Sequence, residues 1–160
     1  EIYTLSLHDA LPIFRDERIR LGSKYLEIQK VESSPNLVGK NMIEVRTLSP
    51  ITVYSTLYSG EGRKYTVYFH PREANFAASI KENLRKKCEV FFREDLTEDL
   101  EVKPFGKPRK HIVYYKNTAI QSYSVNMKIS GNPAALQLAL DAGLGAKNSQ
   151  GFGCLERIDL

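Results

Sequence analysis

Long apolar runs, paired cysteines and histidines are all scarce in this sequence, and each shortage excludes something. No apolar run approaches the roughly 20 residues a bilayer-crossing helix needs, so a membrane-spanning helix is not expected. The two cysteines, Cys88 and Cys154, lie far apart and form no CxxC pair. They support neither a disulfide framework nor a zinc site and fit a reducing, cytoplasmic setting, with a packed core the expected place for both. Three histidines, His8, His70 and His111, leave little material for imidazole chemistry. Nothing points to a metal, a nucleophilic Ser or Cys, or a redox cofactor, so no cofactor is expected.

The 160 residues suffice for one well-packed domain, or one domain plus part of another. Hydrophobic content of 42% with 26% charged residues is ordinary for a globular chain. The net charge of +4 is compatible with a polyanionic partner without establishing one. Its distribution is more telling. Glu94, Asp95, Glu98, Asp99 and Glu101 form an acidic stretch, expected to be a solvated loop, and Lys103, Lys107, Arg109, Lys110 and Lys116 follow as a basic one.

Residues 1–13 stand apart. They have no charged n-region and no cleavage site, and resemble the translated read-through of a sequencing adapter. Setting them aside removes Glu1 and Asp9 and no base, which raises the net charge from +4 to +6.

Beyond them, Arg18 to Leu21 and Tyr25 to Val31 alternate apolar and polar positions around Gly22-Ser23, a short β-hairpin. Ser33-Ser-Pro-Asn36 and Gly39 then read as a linker. A lone hairpin is marginally stable, so residues 14–38 are expected to be the remnant of a preceding domain, with 39–160 forming a second. In that second unit Ile43–Leu48 and Ile51–Ser55 are β-rich, with Pro50 marking a bulge or strand end between them. Lys64–Phe69 is a further strand. A helix is expected from about Arg72 to Lys87, with Pro71 at its start and Phe76, Ile80 and Leu84 at four-residue spacing. Then come Leu100–Val102, His111–Tyr115, a long strand over Ile120–Ile129, a helix opened by Asn132-Pro133, and a last strand over Phe152–Ile158. Collapsing the hairpins leaves β-α-β-β-α-β, the ferredoxin-like order of an α+β protein.

Between the second helix and the last strand lies Gly143-Leu-Gly-Ala-Lys-Asn-Ser-Gln-Gly-Phe-Gly153, with glycines at 143, 145, 151 and 153. One glycine suffices for a helix cap, which Gly143 could supply. Four, around Lys147, Asn148, Ser149 and Gln150, suit an anion-binding concavity of exposed amides. A Walker A loop is excluded because no glycine precedes Lys147. The dinucleotide fingerprint fails because Asn148 stands where its third glycine belongs, and a helix, not a strand, precedes the loop.

The segment resembles the C-terminal glycine-rich loop of the repeat-associated (RAMP) superfamily, and more closely the Cas-six family of CRISPR-associated endoribonucleases. Three further stretches carry the resemblance in order: Thr47-Leu-Ser-Pro-Ile51 is similar to the opening strand of the family's second ferredoxin-like domain. Asn83-Leu-Arg-Lys-Lys87 matches its first-helix ending, and Ile129-Ser-Gly-Asn-Pro its approach to the final helix. The resemblance implies two ferredoxin-like domains in the whole protein, of which this chain would lack most of the first. It also implies binding of CRISPR repeat RNA, the precursor transcript, with other Cas proteins as further partners. The RNA-binding residues it points to are Gly143, Gly145, Lys147, Asn148, Ser149, Gln150, Gly151 and Gly153. Lys107, Arg109, Lys110 and Lys116, interleaved with His111, Tyr114 and Tyr115, are a candidate second strip, the other reading being one charged sheet face over a tyrosine-containing core.

The family's reaction is metal-independent attack of a 2′-hydroxyl on the adjacent phosphate, which needs a base and an acid. The resemblance places the catalytic histidine in a helix upstream of this chain; neither His70 nor His111 matches it, and His70 is expected to close the turn into the first helix. Two other readings stay open. One is a non-catalytic RAMP subunit that coats guide RNA; the other is a ferredoxin-like protein-interaction or ligand-sensing module.

Overall fold

The computed structural model describes residues 18–21, 23–27, 38–116 and 118–158. The adapter-like peptide 1–13, Gly22, the end of the expected second strand from Ile28 to Val31, and the linker Ser33–Asn36 lie outside them. The chain divides into two compact units, residues 1–37 and 38–160. In the first, β1 (Arg18–Leu21) pairs antiparallel with β2 (Lys24–Glu27), Arg18 opposite Glu27 and Leu21 opposite Lys24.

The second unit is an antiparallel sheet in the order β6-β7-β3-β8, built from β3 (Met42–Thr47), β6 (Glu101–Tyr115), β7 (Thr118–Ser130) and β8 (Leu155–Arg157). Helix α1 (Ala74–Phe92) connects β3 to β6, and α2 (Pro133–Ala142) connects β7 to β8. Two interleaved β-α-β units with the outer strands flanking the inner pair make the ferredoxin-like fold. A small hairpin, β4 (Tyr54–Tyr58) and β5 (Lys64–Tyr68), is inserted between β3 and α1.

Alternation places the core. Ile43 and Val45 of β3 and Val125, Met127 and Ile129 of β7 are buried with Phe76, Ile80, Leu84 and Cys88 of α1 and Ala135, Leu136 and Ala139 of α2. The α1 stripe follows the i, i+4 spacing visible in the sequence. Asn132 caps α2, its side chain accepting from the Ala134 amide at 2.9 Å, with Pro133 in the first turn.

Several boundaries differ from expectation for local reasons. Pro71 lies in a turn ahead of α1, not in its first turn: Glu73, in extended geometry, is the cap and the helix starts at Ala74. The turn is closed by His70, whose Nδ1 accepts from the Arg72 amide at 3.1 Å and whose carbonyl accepts from the Glu73 amide at 2.9 Å. The two expected pieces at 100–102 and 111–115 belong to one strand, β6, whose register shifts between Phe105 and Arg109. Gly106, at φ +74°, and Pro108 fall within that bulge, and β6 tolerates Pro104 and Pro108 because it is an edge strand. Pro50 ends β3 as expected. Ile51 and Thr52 then make only isolated bridges, to Tyr123 and Ala146, and the strand resumes at Tyr54. Regular pairing of the last strand covers only Leu155–Arg157. Cys88 is buried but Cys154 is exposed, its position alternating outward between buried Gly153 and Leu155.

Candidate nucleic-acid interface

The glycine segment is a compact loop held from inside. Its ends are tied by Leu144 N–H donating to Gly153 O (3.0 Å), while Gly153 N–H donates to Pro50 O (3.1 Å) and Ala146 N–H to Thr52 O (2.9 Å). Lys147 adopts the left-handed conformation and starts a 3₁₀ turn, Asn148–Gln150, that ends at Gly151.

Three of the four glycines are buried, and close packing explains them better than exposed amides do. A Cβ on Gly153 would sit 2.0 Å from Leu144 O, and one on Gly145 would meet Ile51 Cγ1 and Thr52 O at 2.7 Å. Gly143 ends α2 and packs against Gly153 in the same way. Gly151 alone has open space around it and needs glycine only for its positive φ of +86°. Close packing thus accounts for Gly143, Gly145 and Gly153, and the Gly151 amide is itself spent inside the loop, donating to Asn148 O at 2.9 Å, so the glycines do not form the expected cradle of exposed amides.

Asn148 is likewise turned inward. Its Nδ2 donates to Leu144 O (3.0 Å) and Phe152 O (2.9 Å), bridging the two sides of the loop, and its Oδ1 accepts from Lys87 Nζ at 2.8 Å. Both of its amide hydrogens are thus spent inside the loop, so the side chain acts as a loop staple and keeps no donor for a phosphate.

Lys87 is the residue that sequence reading missed. It is 4% exposed, on the core side of α1, and its Nζ also donates to Gly143 O (2.7 Å) and Ala142 O (3.3 Å). Its three hydrogens thus meet three acceptors, two of them carbonyls at the negative end of α2. Burial pushes the Lys87 ammonium down to about 8, so it remains largely protonated at neutral pH. A lysine continuing the Phe76, Ile80, Leu84 stripe was the signal available in the sequence.

What the loop turns outward is Ser149, Gln150 and Gly151, all exposed, with half-buried Lys147 beside them. The Lys147 Nζ lies 5.6 Å from the centre of the Tyr54 ring. A rigid arc with one cation, a hydroxyl and an amide suits a phosphate or a ribose hydroxyl.

The second basic strip is exposed but divided. Lys107 sits in the β6 bulge; Arg109 pairs with Ser124 and Lys110 with Tyr123, so these neighbours point to opposite faces of the β6–β7 ribbon. Tyr114 and Tyr115 are exposed. Pairings run from Ala146 to Thr52, from Ile51 to Tyr123 and from Tyr123 to Lys110. At about 4.8 Å per step, Lys110 lies within about 15 Å of the glycine loop. Both described histidines are engaged. His111 Nε2 is 2.8 Å from Ser124 Oγ, and the His70 ring meets Tyr123 edge-on at 5.0 Å. Among the described residues no group of His, Cys, Asp or Glu could hold a metal ion, and no helix is long and apolar enough to cross a membrane.

Residues 31–157 match the family model described as CRISPR associated protein Cas6, C-terminal. The chain belongs to this family. It is 28% identical over 150 residues to the CRISPR-associated endoribonuclease Cas6 1 of Methanocaldococcus jannaschii, covering 92% of this chain and 57% of that protein. Its fold is that of a solved CRISPR associated protein Cas6 (TM-score 0.72, 22% identity, 90% of this chain and 59% of that one). A Cas6-related protein from Pyrococcus furiosus shares it as well (TM-score 0.74, 20% identity, 94% and 62%). So does a chain described as an RAMP protein binding different RNA substrates (TM-score 0.72, 16% identity, 94% and 62%). The chain thus spans about three fifths of the length of these Cas6 relatives.

Lys87→Met leaves three acceptors without a donor and is expected to lower the unfolding free energy by about 3 kcal/mol at pH 7, measured by urea titration. Because the folded amine releases its proton near pH 8 and the unfolded one near 10.5, the wild type should gain stability over Lys87→Met as pH rises through that window. A gap that shrinks instead would refute the burial of this ammonium. The glycines divide by a similar comparison. Gly153→Ala should prevent folding, whereas Gly151→Ala should cost only about 1–2 kcal/mol in the same titration.

Proposed function

We propose that the whole protein processes CRISPR repeat RNA, and that the ferredoxin-like unit of this chain holds the RNA backbone without cutting it. The supporting observation is the outward arc of Lys147, Ser149, Gln150 and Gly151 on a loop braced by Lys87 and Asn148. The exposed Lys107, Arg109 and Lys110 extend the positive surface along the β6–β7 ribbon. Such contacts read phosphate and ribose, not base sequence.

Cleavage in this reading follows the family's chemistry. The 2′-oxygen loses its proton to a base and attacks the adjacent phosphorus; the bond to the 5′-oxygen breaks, and that oxygen takes a proton from an acid. The products are a 2′,3′-cyclic phosphate and a free 5′-hydroxyl. His70 and His111 are already committed to the α1 turn and to Ser124. The base is therefore assigned to the portion of the relatives' length that this chain does not span.

Fluorescence anisotropy with labelled repeat RNA checks the binding. Lys147→Glu should weaken it, and removing one phosphate contact should flatten the log–log salt dependence by about 0.7 for a single strand. Unchanged affinity would remove the loop from the interface. Incubated with the same RNA in chelator, this chain should leave it intact; efficient cutting would show that the catalytic groups lie within it.

A further inference from the structure

The inserted β4–β5 hairpin serves no part of the ferredoxin-like core, yet one of its faces is built with a definite chemistry. Alternation along β4 puts Tyr54, Thr56 and Tyr58 on one side. The register places Tyr68, Thr66 and Lys64 opposite them on the same side. Up the ribbon this face therefore reads as a tyrosine pair, a threonine pair and a tyrosine–lysine pair. The Tyr54 and Tyr68 rings are tilted at 54° with centres 5.7 Å apart, and Lys64 Nζ lies 5.6 Å from the centre of the Tyr58 ring. Among the described residues nothing buries the upper two rungs: Thr56, Lys64 and Thr66 are exposed and Tyr58 is 63% exposed.

The root of the face meets the glycine loop. Lys147, at the end of the outward arc, has its amine over Tyr54. The hairpin is anchored next to the sheet as well, Tyr68 Oη donating to Ala119 O of β7 at 3.3 Å. A cation thus stands at each end of an aromatic face with no carboxylate among its six residues. From Tyr54 to Tyr58 is about 13 Å at strand rise, room for about two extended nucleotides.

We propose that this face is a stacking platform for single-stranded RNA: a strand whose phosphate is held at Lys147 lays its next unpaired bases on Tyr54 and Tyr58. Lys64 neutralises the backbone at the tip, and Thr56 and Thr66 offer hydroxyls to the 2′-OH groups between. Aromatic rings of this kind accept any unstacked base, so the platform selects single strands over duplex without reading sequence. It rests on the proposed RNA-holding role of the glycine loop and adds to it the conformation of RNA recognised there.

The test uses the full chain and two probes, a labelled oligouridine of about ten nucleotides and its abasic counterpart with the same phosphates. Tyr58 carries no core contact, so Tyr58→Ala leaves the fold intact. It should weaken oligouridine binding about fivefold or more and leave abasic binding unchanged, while Tyr58→Phe retains wild-type affinity for both. Equal losses on both probes would make Tyr58 a backbone contact and overturn the platform. So would undiminished oligouridine binding by Tyr58→Ala in a protein that Lys147→Glu still impairs, an outcome that leaves the glycine-loop role standing. If the wild type binds neither probe, both proposals fall together.

Discussion

A buried ammonium with three hydrogens faces three acceptors where α1 passes beneath the end of α2, and the shape of the glycine loop follows from satisfying all of them. Gly143 O and Ala142 O are helix-terminal carbonyls that would otherwise be orphaned, and Asn148 Oδ1 is the loop's own contribution. Lys87 thus fixes the point at which α2 stops and the side chain around which the loop folds. Burying a cation is costly, and here the cost is offset in part by complete hydrogen bonding and by the negative end of the helix.

From that anchor the loop divides into two layers. Inside, Gly143, Gly145 and Gly153 let backbones approach where any Cβ would collide, and Asn148 ties Leu144 to Phe152. Outside, the Ser149 and Gln150 side chains and Gly151 are exposed, with half-buried Lys147 beside them and its amine over Tyr54. Rigidity below and polarity above are what a backbone-holding surface requires, because a preorganised contact loses less entropy on binding. The β4–β5 hairpin adjoins the outer layer through Tyr54, and the β6–β7 ribbon carries the exposed Lys107, Arg109 and Lys110.

Much of this was legible in the sequence. The core stripes of α1 and of β7 follow simple periodicity, Asn132-Pro133 announced its helix, and the order of elements gave the ferredoxin-like fold once the small hairpin was set aside. What could not be read was direction. A polar loop suggests outward side chains, yet Asn148 points in because two carbonyls and an ammonium converge on it. A glycine-rich segment suggests exposed amides, yet three of its glycines answer to collisions, Gly143 and Gly153 with the loop's own atoms and Gly145 with Ile51 and Thr52, more than ninety positions away in sequence. The basic strip looked continuous in one dimension, but strand alternation sends Arg109 and Lys110 to opposite faces. Lys87 was visible only as an anomaly, a lysine on an apolar stripe.

Amide hydrogen exchange resolved by residue tests the bracing of the loop most directly. In Lys87→Met, under conditions where the protein stays folded, the Leu144 and Gly153 amides should exchange much faster than in the wild type. The Met127 and Ile129 amides, in the sheet beneath the helices, should keep their protection. Loop amides as protected in Lys87→Met as in the wild type would contradict the account, since the loop would then owe its form to something other than the buried ammonium.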